Sequence, residues 1–460
     1  MRPRWWGRLA GIALLALAVG SAAQAAEDKG RKNFWIPERL QDELKLKVAF
    51  NREEIFFRFQ LTSAEGIYHD YLHYKGGKWI KTPGSTPGIH PDRLYEDRIS
   101  FLLDDGSVRH FAEQGGYVTI HEEMRFLSNQ APKEEVQKVF KKKKDVRKYI
   151  SETRKTGDWR SLRSSEELEE SRQSGVFLDL WQWRAHRSNP VGYTDDQWVF
   201  QYRNSDKGKG PYTTNWDSGK KQPKWMFNPE KVGFYALKWD DVKNHRLSQK
   251  DIYYLSEDIA LPFDSNHQWQ DGDTIPRRLL RKPDGSRGDI RGVGTWQDGV
   301  WTVTMWRKLD TGHPLDDKIL RPKRLYDIAF GVHKNYTGSR WHYISFPYTL
   351  GLDSEADIMA RRFDGETPQW DEIPWQRIPL FYPGQTTWTF LTSDAHPGKR
   401  GIEEGRACAS CHRVSEMGKY AIEHELKDQI IPRWYLTVAG GIVFVLGIGV
   451  AGVGVARRRH

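Results

Sequence analysis

Apolar and polar positions alternate with a two-residue period over much of the chain. Leu46, Val48 and Phe50 form one such row, and Ile55 to Leu61 continues it after a short polar turn. This is the pattern of strands with one buried face. Gly294 to Gln297 and Val300 to Arg307 flank Asp298-Gly299, a pair that suits a two-residue hairpin turn. Similar short runs, broken by Gly, Pro, Asn and Asp, fill residues 44 to 130 and 175 to 395. They predict a mainly β body, an antiparallel β-sandwich or barrel. No glycine-rich phosphate loop follows a strand, so a dinucleotide fold is not expected.

Residues 133 to 174 break the pattern. They are rich in Lys, Glu and Arg, include the run Lys141 to Lys144, and carry Ser164 three residues before Glu167. That spacing is a helix capping box. We expect a helical insertion of two exposed helices, its charge a solvated face rather than a docking site.

The longest apolar runs lie at the two ends. Arg2, Arg4 and Arg8 precede Leu9 to Gly20, and Ala23-Gln24-Ala25 follows. This is the form of a signal peptide over residues 1 to 25, too short to cross about 30 Å of hydrocarbon. Without an Arg-Arg pair, export of an unfolded chain is expected, with cofactors acquired outside. Trp434 to Ala456 is uncharged and glycine-rich, starts with Trp434 and Tyr435, and is followed by Arg457, Arg458 and Arg459. At about 1.5 Å per residue it predicts one transmembrane helix. The positive-inside rule then places residues 457 to 460 in the cytoplasm and the body in the periplasm.

Composition adjusts this picture. Only 38% of residues are hydrophobic, so the body reads as soluble and the anchor as an addition. The net charge of +10 gathers in the insertion and at the two ends. It points to an acidic redox partner or anionic lipid rather than nucleic acid. The 20 tryptophans suit β-core packing, a carbohydrate face or walls around a flat cofactor, and composition does not choose among these.

Only two cysteines are present, and they form Cys408-Ala409-Ser410-Cys411-His412. C-x-x-C-H is the attachment pattern for haem c. Two thiols at this spacing reach two vinyl groups on one porphyrin edge, and the adjacent His ligates the iron. A lone cysteine pair in an oxidising compartment would otherwise read as a disulfide, and a thioredoxin-like redox pair would want a strand-to-helix context that is not visible here. The distal ligand stays open among Met417, His424, His396 and a group from the body. In one continuous helix Met417 would remain on the proximal side. The haem c segment, 396 to 430, is short, so its ring should lean on the body.

One stretch of the body carries a resemblance. Asp179-Leu180-Trp181-Gln182-Trp183-Arg184-Ala185, then Asn189-Pro190-Val191-Gly192-Tyr193 and Asp195-Asp196, resembles the haem-binding domain of the ethylbenzene dehydrogenase gamma-subunit family. Tyr95-Glu96-Asp97-Arg98, Trp306 to Gly312 and Gly338 to Ser345 fit the same family. The resemblance covers about residues 45 to 350. It implies a β-sandwich holding a non-covalent haem b beside a molybdenum enzyme. Where that family uses a Met and a Lys as ligands, His342 stands in the Lys position and no Met precedes Asp179 closely. His121 is the second candidate, with His333 in reserve.

The expected role is electron transfer between a membrane or quinone-linked pool and a periplasmic partner, with no catalytic residues. The partner would be a molybdenum oxidoreductase or a membrane cytochrome b. Two alternatives remain: an enzyme with an open haem iron, and a tryptophan-rich carbohydrate-binding module with a redox-sensing haem.

Overall fold

The computed structural model describes residues 41–381, apart from 83–87, 91, 110, 116–132, 142, 144–145, 147, 157 and 339–341. Among the described residues the fold is mainly β and is built on one 13-stranded mixed sheet. Its strands in chain order are β1 (Gln41–Phe50), β2 (Glu54–Thr62), β3 (Arg98–Asp104), β4 (Leu178–Arg184), β5 (Asp195–Val199), β6 (Arg203–Ser205) and β7 (Arg291–Gln297). Then come β8 (Val300–Lys308), β9 (Arg324–His333), β10 (Tyr343–Ile344), β11 (Tyr348–Leu352), β12 (Ile358–Arg362) and β13 (Gln376–Phe381).

The spatial order is β7-β8-β2-β1-β12-β11-β9-β3-β4-β5-β6. Between the two long strands β1 and β9, four short ones lie side by side. β13 takes the first half of β1 and β12 its end; β11 takes the first half of β9 and β10 its end. The sheet folds over its own core. Phe57 of β2 and Phe101 of β3 are five positions apart in the sheet, yet their rings lie 4.8 Å apart. Phe57 also meets Trp181 at 5.4 Å, and Phe59 meets Phe330 at 6.1 Å. Each buried aromatic removes a large apolar area from water, which is the main stabilisation available to such a sheet.

The expectation of an antiparallel sheet needs one correction. β12 runs parallel to both β1 and β11. Parallel neighbours come from distant sequence, and local alternation carries no sign of them. The expected hairpin is present: β7 and β8 pair through Gln297↔Val300. Asp298 and Gly299 both have positive φ, 52° and 83°, which a turn matching the strands' twist requires.

In the insertion, helices run over Lys133–Phe140 and Ser165–Gln173. Ser164 accepts from the Glu167 amide while the Glu167 side chain accepts from the Ser164 amide, forming the capping box. The second helix buries no residue, and the first buries Val136 alone. Among the described residues no helix is long and apolar enough to cross a membrane. The expected signal peptide at 1–25, haem c segment at 396–430 and transmembrane helix at 434–456 lie outside the described residues.

Candidate functional site

The middle of the sheet carries a strip of small side chains. In β9, β3 and β4 the register puts Ala329 beside Leu102 and Leu180, Gly331 beside Ser100 and Gln182, and His333 beside Arg98 and Arg184. Strand alternation turns all nine away from Phe101, Phe330 and Trp181 and onto the opposite face. At one end, Ala329, Leu102 and Leu180 pack with Phe111 and Ile150. The other end is polar. Between them Gly331 and Ser100 leave the strip shallow, and Ser100 Oγ donates to the Gly331 carbonyl at 2.9 Å.

β10 continues the sheet with Gly331↔Ile344 and Val332↔Tyr343. One step further, His342 falls opposite His333. Their rings stack with centroids 4.9 Å apart and planes 14° from parallel. A Cβ on Gly331 would lie only 3.6 Å from His342 Cδ2, so the imidazole sits against the strip. His342 is half-buried and His333 buried. A file of rings continues inward, from His333 to Tyr95 at 6.4 Å, His69 at 5.2 Å and His186 at 6.2 Å.

The polar end is a network of buried charges. Arg187 Nε donates to Glu96 Oε1 at 2.5 Å, and the backbone amides of His186 and Arg187 each donate to Glu96 Oε2 at 2.9 Å. Burial alone would raise the Glu96 pKa, but Arg187 and Arg98 outweigh it and hold the carboxyl at about 2. Arg184 pairs with Asp195 at 2.8 Å and donates to Tyr212 Oη at 2.5 Å. Arg287 reaches Asp195 at 2.6 Å, and Arg278 reaches Asp70 at 3.1 Å. Arg98 lies over the Tyr95 ring at 4.4 Å and 3.3 Å from Glu96, yet its Nη2 is buried without a hydrogen-bond partner. Burial lowers its pKa from the usual arginine value. Guanidinium charge therefore exceeds carboxylate charge beside the strip. His69 is fully enclosed, and burial followed by Arg187 and Arg98 keeps it well below the ordinary histidine pKa, hence neutral.

The sequence stretches that carry the family resemblance become buried ionic framework. Tyr95-Glu96-Asp97-Arg98 supplies the Glu96 network. It also supplies Asp97, which accepts from Ser63 at 2.7 Å and Trp301 at 2.9 Å and is pushed up to about 7 by burial. Arg307, fully buried, bridges Asp179 at 2.9 Å and Asp317 at 2.5 Å and lies 4.8 Å from the centroid of the Trp181 ring.

Of the residues singled out from sequence, His342 and His333 are brought together. His121, Cys408, Cys411, His412, Met417, His424 and His396 lie outside the described residues. Sequence reading missed the strip itself and did not assign Arg98 and Arg184 to it. The available signal was an Arg at an inward position of each strand, where a lone charge is costly.

A family model described as "Ethylbenzene dehydrogenase" matches residues 27–345. Cytochrome c-552 of Stutzerimonas stutzeri is 30% identical over 92 residues, which cover 20% of this chain and 30% of that protein. The match thus spans under a third of that relative's length.

Proposed function

The chain belongs to the ethylbenzene dehydrogenase family, and from that premise we propose that it is a haem-bearing electron-transfer protein. The observation that carries this reading is His342 held against the Gly331–Ser100 strip beside an arginine-rich rim. A flat cofactor needs a wall without protruding side chains, an imidazole for iron and cations for its acidic edge. The strip offers all three.

When bound, haem b would supply one-electron redox chemistry. The chain's part is to bind and orient it. His342 is the proposed ligand. His333 stacks on that imidazole and restricts its rotation. His333 is not proposed as the second ligand, since its ring lies face to face with His342. His121 is the proposed second ligand. Arg98, with its unsatisfied Nη2, and Arg184 hold anionic substituents.

A covalent haem c on Cys408 and Cys411, with His412 proximal and Met417 or His424 distal, completes the proposal. Residues 434–456 anchor the body outside the cytoplasmic membrane, next to a membrane or quinone-linked pool. A molybdenum oxidoreductase or a membrane cytochrome b is the proposed partner. No group here is assigned a bond-making role.

The test is a reduced-minus-oxidised spectrum of the full chain in detergent. Both b-type and c-type α-bands are expected, and His342→Ala should remove the b-type band alone. A wild-type spectrum with only the c-type band would reject the second haem.

A further inference from the structure

We propose that Asp179, Asp196, Asp206 and Asp317 form a structural site for one hard divalent cation, calcium being the best fit. Strand register assembles it. β4 and β5 pair with Asp179↔Trp198 and Trp181↔Asp196, so Asp179 and Asp196 are diagonal neighbours on one face. β5 and β6 pair with Gln197↔Ser205, so Asp206, the next residue, falls opposite Asp196. Asp317 enters from the segment after β8. One carboxylate oxygen from each of Asp179, Asp196 and Asp317 lies within 4.8 Å of the others, and all three residues are buried.

Like charges opposite each other on neighbouring strands are destabilising. Something must offset the repulsion, and the described side chains do not suffice. Arg307 binds Asp179 and Asp317. Arg287 faces Asp206 but pairs with Asp195. Thr311 donates to Asp317 Oδ2 at 2.7 Å, and the Lys318 amide donates to Asp179 Oδ2 at 3.0 Å. The second observation is independent of the triad: Asp206 is only 3% exposed, no donor group reaches either of its oxygens, and its side chain meets the Asp196 carboxyl at hydrogen-bond distance. Both Asp196 oxygens and Asp179 Oδ1 likewise lack a donor. Five acceptor oxygens on three neighbouring buried aspartates thus have no donor.

A buried carboxylate in that state must gain either a proton or a cation. Donors that are all oxygen select hard cations over zinc or copper. Calcium accepts six to eight oxygens in irregular geometry, whereas magnesium holds on to its waters. The enclosed, irregular cluster therefore suits calcium. The Asp289–His313 pair, 2.8 Å apart, also lies close to Asp317, and Asp316 adjoins Asp317 in sequence. The ion would pin β6 and the 317 segment to β4 and β5, a role separate from the haem reading.

The test uses the full chain passed over a desalting column in calcium-containing buffer, with metal content read by elemental analysis. One calcium per chain is expected. Calcium chloride should raise the Tm by roughly 2–4 °C or more over the same protein in EGTA. Asp206→Asn and the Asp196→Asn/Asp206→Asn double variant should retain no calcium and lose the calcium-dependent shift. No retained metal, with equal Tm in calcium and EGTA, would overturn the site. So would a folded double variant that binds calcium like wild type. If the Asn variants do not fold, the wild-type metal content and Tm decide alone.

Discussion

His342 lies face to face with His333 at 4.9 Å because β10 carries the antiparallel register of β9 one residue past Val332↔Tyr343. The sheet, not a loop, sets where that imidazole sits. The two histidines therefore have different jobs under the haem reading, and substitution should separate them. His333→Ala should keep the b-type α-band while shifting its midpoint potential, as the ring of His342 becomes free to turn. Potentiometric titration reads the shift. If His333→Ala removed the band and His342→Ala spared it, the assignments would be reversed.

Gly331 tests the strip. A Cβ there would already stand 3.2 Å from Ser100 Oγ and 3.6 Å from His342 Cδ2. Gly331→Val adds bulk where a flat cofactor would lie, yet valine suits a strand. We expect a folded protein that retains covalent haem and holds haem b at least ~10-fold less tightly, about 1.4 kcal/mol. Haem content by pyridine haemochrome, set against far-ultraviolet circular dichroism, checks this.

Asp97 makes stability depend on pH. Burial raises its folded pKa to about 7 from an ordinary 3.8, despite donors on Ser63, Trp301 and Gly66. The folded state thus holds this proton more tightly than the unfolded state does. Its contribution is complete below pH ~4 and is lost as pH rises toward 7, on the order of 4 kcal/mol at most. Glu96 acts oppositely: held at about 2, it stabilises above pH ~4.5 and loses that contribution as pH falls toward 2. Urea unfolding at pH 5 and pH 8 should show a smaller difference in Asp97→Asn than in wild type. An unchanged difference would contradict the assignment.

Arg307→Met should destabilise strongly. It removes the guanidinium between Asp179 and Asp317, both fully buried, and breaks both ion pairs at once. Breaking one side of such a pair costs about 3–5 kcal/mol. Arg307→Lys should recover only part of this, since one ammonium cannot reproduce the fork. Chemical denaturation midpoints at fixed pH measure both.

Local features of the fold were readable from sequence. Alternation at Leu46, Val48 and Phe50 marked β1, the Asp298-Gly299 pair marked the β7–β8 hairpin, and Ser164 with Glu167 marked a helix start. Each depends on residues within a few positions of one another. The parallel placement of β12 against β1 depends on segments some 300 residues apart, and nothing local encodes it. The site divides in the same way. His342 and His333 could be named from sequence, but their stacking is a consequence of register. The facing of Asp196 and Asp206 is another such consequence; their sequence neighbourhood reads as ordinary polar strand ends. The family-like stretch at 179 to 196 was legible, while its role as buried ionic framework required the partners Arg307, Arg287 and Asp317 from far along the chain.

The central proposal is two chemically distinct haems on this chain. The most direct measurement is a pyridine haemochrome spectrum of the purified full chain before and after acid-acetone extraction. The account predicts one extractable haem b and one haem c that stays with the polypeptide. A protein whose haem is all extracted, or which yields none, would contradict it.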